Sequence, residues 1–177
     1  MLTQEQGKKL ISLARHSIET FLSKTELELN DYKEFSEKQG VFVTLKINGE
    51  LRGCIGFTEP IFPLYNAIAK AARAAAFEDP RFPSLEKEEL EKIKIELSVL
   101  TKPELIDKDY TIEVGKDGLI VQYGTYSGLL LPQVATEQGW DSETFLEQTC
   151  AKAGLPTDTW KDRDCKVYKF QAQIFEE

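Results

Sequence analysis

The feature that most constrains this chain is a strand-turn-strand pattern in its first third. Val41 to Ile47 is rich in β-branched and aromatic residues, Asn48-Gly49 is the dipeptide favoured in two-residue type I′ turns, and Glu50 to Phe57 returns as a second strand. Such a hairpin commits the fold to antiparallel pairing. An unbroken two-residue register sets Glu50 opposite Ile47, Arg52 opposite Leu45 and Cys54 opposite Val43, all on one face. The expectation is therefore an arginine and a cysteine side by side on the apolar face of the hairpin.

The flanking segments supply helices and further strands. Thr3 with Gln6 reads as a capping box opening a helix whose apolar positions, Leu10, Ile11, Ala14, Ile18, Phe21 and Leu22, follow the 3.6 period. The acidic stretch 25–40 shows no periodicity and reads as a loop or lid. Pro63 starts a helix to Phe77, with Leu64, Ile68, Ala71, Ala72 and Ala75 on one stripe and Lys70 and Arg73 facing away. Asp79-Pro80-Arg81-Phe82-Pro83 is held extended by its prolines, and Ser84 is placed to cap a short helix from Leu85. Lys92 to Leu100 alternates apolar and polar residues, the pattern of a half-buried strand.

Beyond residue 100, strands are expected at Thr111 to Val114, at Leu119 to Tyr123 after an Asp117-Gly118 turn, and at Leu129 to Leu131. Asp141 or Ser142 caps a helix that turns Phe145, Leu146, Thr149, Cys150 and Ala153 inward and ends at Gly154. A closing strand, Lys166 to Phe175, sets Tyr168, Phe170, Ala172 and Ile174 on one face. Hairpins with irregularly inserted helices give an α+β class: a largely antiparallel sheet flanked by helices. At 177 residues and with no linker-like stretch, the chain reads as a single domain, 1–177.

The formal charge of −8 opposes sequence-independent nucleic-acid binding, which needs clustered Lys and Arg to release counterions. No apolar run approaches the length of a membrane span and the N-terminus lacks a signal-peptide core, so a cytoplasmic protein is expected. Cys54, Cys150 and Cys165 are widely spaced and odd in number, which fits free thiols better than a disulfide framework. The lone histidine, His16, falls opposite the apolar stripe of its helix and faces solvent. That removes a Cys-His dyad and the His-rich zinc sites, and neither metal nor cofactor is expected.

An arginine on an apolar face must reach an edge or find a carboxylate or anionic ligand, because an unpaired buried charge is costly. Asp79, Glu78 and Glu96 are the candidate partners of Arg52. For Cys54 to act as a nucleophile it needs a base or a neighbouring positive charge, and Arg52 is the right kind of neighbour. The alternative is a small buried residue among glycines, since Gly53 and Gly56 flank it. Glu86-Lys87-Glu88-Glu89 reads as a solvated face, and Glu96 as a strand residue pointing to solvent beside Lys94. Gly124 to Gly128 is either a turn or an anion cradle, and Gln133 follows Pro132 at a strand end that can line a cleft.

Four segments in order, Leu51-Arg52-Gly53-Cys54-Ile55-Gly56, Asp79-Pro80-Arg81-Phe82, Gly128 to Ala135 and Cys150 to Leu155, resemble the AMMECR-one family. The resemblance runs from the hairpin to Trp160 and Tyr168. It implies an α+β fold with a smaller subdomain, an activity that is not established for the family, and an association with Memo-type proteins and radical SAM enzymes. Arg52 and Cys54 carry over as motif positions, as do Arg81, Gln133, Cys150 and Lys152. The expectation is a small-molecule enzyme or anionic-ligand-binding component with Cys54 as catalytic candidate and Arg52, Gly53, Arg81 and Gln133 as ligand-binding candidates. A non-catalytic adaptor is the alternative.

Overall fold

The computed structural model describes residues 1–107 and 111–177. It is α+β with antiparallel pairing, and it divides into two compact units, residues 1–100 with 173–177 and residues 101–172.

In the first unit α1 (Gln4–Ser23) begins as the sequence dictates. Thr3 Oγ1 accepts the Gln6 N–H at 3.2 Å and Gln6 Oε1 accepts the Thr3 N–H at 2.9 Å, so two otherwise orphaned donors are satisfied. Its buried stripe includes Leu10, Leu13, Ala14 and Ile18, whereas Phe21 stays half exposed and stacks on Phe77 at 4.4 Å between ring centroids. The stretch 25–40 is more ordered than its composition suggested. A 3-10 helix, Asn30–Phe35, forms within it because Phe35 is buried in the core, and Lys38 bridges Pro63.

Strands β1 (Val41–Ile47), β2 (Glu50–Phe57) and β3 (Ile93–Leu100) pair in the order β2-β1-β3. Val41, Val43 and Leu45 of β1 and Ile93, Ile95 and Leu97 of β3 form the core with α1 and with α2 (Leu64–Phe77). The alanines of α2, including Ala71, Ala72 and Ala75, are buried, which brings the helix backbone close to the sheet. Lys70 and Arg73 both lie off that buried stripe as expected, Lys70 exposed and Arg73 half buried. The Arg73 Nε donates to Ser17 Oγ of α1 at 3.1 Å. After α2 no helix starts at Leu85; Leu85 is buried, and a single 3-10 turn, Lys87–Glu89, follows behind a Glu86 cap.

The second unit holds β4 (Glu104–Leu105), β5 (Asp117–Tyr123), β6 (Tyr126–Leu130), α3 (Pro132–Gln138), α4 (Ser142–Lys152) and β7 (Lys166–Glu176), whose last residues belong to the first unit. Strand order is β6-β5-β7-β4. The strand expected at Thr111 to Val114 is absent, because the Glu113 carbonyl accepts the N–H groups of Lys116 and Asp117 in a turn. The expected Asp117-Gly118 turn is instead the start of β5, paired with Gln171 and Phe170. Gly124-Thr125 closes the β5–β6 hairpin, so that segment is a turn. On β7 the expected stripe breaks: Phe175 is buried in the first unit's core, while Ile174 is exposed.

Candidate functional site

The motif hairpin carries a bulge. Ile47 opposes Glu50 and Lys46 opposes Leu51, but then Leu45 opposes Gly53, Thr44 opposes Cys54 and Val43 opposes Ile55. Arg52 is the extra residue. The expected pairings of Arg52 with Leu45 and of Cys54 with Val43 are therefore overturned, and Cys54 shares the face of Thr44 rather than that of the core. The cause is the approach of α2: a Cβ on Gly53 would lie 2.1 Å from the Ala75 carbonyl oxygen. No side chain fits opposite Leu45, and the inserted residue slides a glycine into that place.

Arg52 is held by Glu89, not by Asp79, Glu78 or Glu96. Its Nε donates to Glu89 Oε1 at 2.8 Å, and its Nη2 to Glu89 Oε2 at 3.0 Å and to the Pro83 carbonyl at 2.9 Å. The guanidinium lies 6.0 Å from the Phe82 ring centroid, and its buried Nη1 has no partner among the described residues. Glu89 is oriented in turn by accepting the Glu86 N–H at 2.9 Å. The Arg52 guanidinium, with help from that N–H, holds the Glu89 carboxyl below its ordinary range. Glu89 is thus no solvated-face residue but one side of a bidentate pair.

The outer edge of β2 is closed by the segment that follows α2. Asp79 Oδ2 accepts the Cys54 N–H at 2.9 Å, and Arg81 Nη2 donates to the Cys54 carbonyl at 3.3 Å. Arg81 Nε donates to Asp79 Oδ1 at 3.0 Å and Nη2 to Asp79 Oδ2 at 2.7 Å. These two residues satisfy edge groups that would otherwise be open to another strand. Asp79 is 2% exposed at its side chain and Arg81 55%. The Arg81 guanidinium, then the N–H groups of Cys54 and Arg81, hold the Asp79 carboxyl well below the usual carboxylate range.

On the face of β1 away from the core, Cys54, Thr44 and Glu96 stand opposite one another across β2, β1 and β3. Residues so placed have Cβ atoms about 5 Å apart. Thr44 Oγ1 donates to the half-buried Cys54 Sγ at 3.2 Å, and Lys46 Nζ donates to Glu96 at 2.5 Å. Glu96 raises the Lys46 ammonium in return. Sequence reasoning missed Thr44 because a register without the bulge pairs it with Gly53. It missed Glu89, whose one local signal was the Glu86-to-Glu89 spacing of a capping box.

The first unit thus brings together Arg52, Gly53, Cys54 and Arg81. Gln133 is exposed in α3 of the second unit and Lys152 is exposed at the end of α4. Cys150 and Cys165 are buried in that unit's core, where burial pushes both thiols up, Cys165 to about 11. They are held protonated and inert. His16 stands half exposed, 3.6 Å from Glu19. Among the described residues no group of three or more His, Cys, Asp or Glu side chains is arranged to hold a metal ion, and no helix is long and apolar enough to cross a membrane.

The family model AMMECR1 matches residues 11–175. A protein of Pyrococcus furiosus is 53% identical over 190 residues, covering 99% of this chain and 90% of its own. A protein of Methanocaldococcus jannaschii is 50% identical over 186 residues, covering 100% and 92%. The crystal structure of an uncharacterized protein from Pyrococcus horikoshii matches with a TM-score of 0.84 at 52% identity, covering 99% of this chain and 93% of that one. None of these names carries an activity. With a family model across nearly its whole length and relatives above half identity, the chain belongs to the AMMECR1 family.

Proposed function

We propose that this protein is a small-molecule component, an enzyme or anionic-ligand binder, whose site is centred on the Arg52-Gly53-Cys54 motif. In this reading the Cys54 thiol meets the ligand, the exposed Arg81 guanidinium draws its anionic group, and Arg52 and Gly53 hold the strand that presents them. The observation that carries it is the state of Cys54. Its backbone N–H and carbonyl are tied to Asp79 and Arg81, its sulfur accepts a hydrogen bond from Thr44, and the side chain is still only half buried. A thiol fixed in orientation and left accessible suits contact with a solute better than packing does. Docking of a partner strand on this edge is disfavoured by the same bonds, because the groups it would use are occupied.

Alkylation kinetics followed by mass spectrometry test the reading. Cys54 reacts faster with iodoacetate, relative to iodoacetamide, than free cysteine does, and Arg81→Gln removes that preference. An inert Cys54, or one that prefers the neutral reagent as an acidic protein without a local anion site should, rejects it. The association with a Memo-type protein and a radical SAM enzyme rests on family resemblance and belongs to the same proposal. Co-purification with a tagged copy of this chain tests it, and absence of both partners removes that part.

A further inference from the structure

A second site, independent of Cys54, lies in the first unit on the outer side of α2. The chain leaving α1 at residues 25–29 lies beside α2, and together they enclose an open cleft of about 370 Å³. That is within the size range of small-molecule sites. Leu27 and Leu29, which pack on the core, and the buried Ala69 give it an apolar floor, and Glu26 stands on its rim. Asn66, Lys70 and Arg73 line it from α2. Their spacing, i, i+4 and i+7, sets all three on one face of a helix otherwise dominated by alanine.

Arg73 is fixed at one end and free at the other. Its Nε donates to Ser17 Oγ at 3.1 Å, and Ser17, fully buried, donates to the Ala69 carbonyl at 2.8 Å. The guanidinium also lies over the Phe21 ring, 5.8 Å from its centroid. Among the described residues its Nη1 and Nη2 have no protein partner, and neither atom is sealed from solvent. Lys70 is also without a carboxylate partner among them; its Nζ rests 5.2 Å from the Phe62 ring centroid. Arg15, Arg52, Arg81 and Arg163 each have a carboxylate within ion-pair distance, and among the described residues Arg73 is the one arginine that does not. An arginine locked at Nε presents its far nitrogens as a fork at little entropic cost, and a fork of this kind matches a carboxylate or phosphate.

We infer that this cleft binds a small molecule through one oxyanion group, a carboxylate or a phosphate. The Arg73 fork takes two of its oxygens, Lys70 adds charge one turn earlier, Asn66 supplies an amide, and the apolar floor takes the carbon body. Glu26 on the rim repels polyanions, which selects a ligand of low charge and accepts a hydrogen bond from an amine or hydroxyl on it.

Titration of the full chain with inorganic phosphate and, separately, with succinate, followed by ¹H–¹⁵N amide shifts against a chloride control of equal ionic strength, tests the inference. Saturable shifts confined to residues 25–29 and 66–73 are expected, and the tighter of the two anions identifies the group. Arg73→Gln weakens that binding at least about tenfold. Lys70→Gln, at an exposed position where a substitution costs little stability, weakens it about threefold or more and decides the matter should the first variant unfold. Cys54→Ser leaves it unchanged, which separates this cleft from the thiol site. No saturable shift with either anion, or equal affinity in the charge-removing variants, overturns the inference.

Discussion

Two regions of the first unit use arginine in opposite ways. At the edge of β2, Arg52 and Arg81 are each gripped by a carboxylate in bidentate fashion, and both tie a bulged strand to the segment after α2. On the far side of α2, Arg73 is anchored through Nε alone and faces a cleft with its fork open. The three are alike in sequence, each a basic residue beside apolar or aromatic neighbours. What distinguishes them is whether a carboxylate from elsewhere in the chain reaches them. An arginine sealed against its carboxylate, as Arg52 is, belongs to the scaffold; Arg81 keeps its pair yet stays exposed to solutes, and Arg73, with no carboxylate, has its whole fork open.

The strongest way to break this comparison is to attack the scaffold where it leaves no room. Gly53→Ala pushes a methyl group to 2.1 Å from the Ala75 carbonyl oxygen, a backbone atom that cannot swing aside. It is expected to destabilise the protein by about 3 kcal/mol in urea denaturation, from overpacking. A loss under about 1 kcal/mol would mean that the bulge is not enforced by α2. Arg52→Ala comes next, at about 2–3 kcal/mol, because Glu89 is left half buried with its charge unanswered. If Arg52→Ala costs no more than a surface substitution, Arg52 is not the structural arginine described above.

How much of this was legible before folding differs sharply between local and distant signals. α1 and its capping box could be read from Thr3 and Gln6, and the hairpin from Asn48-Gly49, because each depends on residues within one turn. The bulge could not. It is set by the carbonyl of Ala75, which only the packing of α2 brings against Gly53. The partner of Arg52 was equally hidden: Glu89 lies 37 residues on, inside a charged run that looks solvated. α3 escaped notice although Pro132 and Gly139 bracket it, because seven residues with two buried positions show no period. The family motif singled out Arg52 and Cys54, but a motif names positions and says nothing of which face they occupy.

The smallest expected effect is the most discriminating. Asp79 and Glu89 have carboxyls depressed by Arg81 and Arg52, so each contributes stability that is present above the ordinary carboxylate pKa of about 4 and is lost as pH falls through the depressed value. Acidification from about pH 4 to pH 2 should therefore weaken the wild-type protein, and Asp79→Asn, already less stable at neutral pH, should show a shallower acid slope. Arg73 has no carboxylate partner among the described residues, so Arg73→Gln should change stability by less than about 1 kcal/mol. Its acid slope should run parallel to that of the wild type. Urea midpoints measured across that pH range compare all three proteins directly. A flattened slope in Arg73→Gln would show that Arg73 answers a carboxylate after all, and the division between scaffold arginines and the open one would fall.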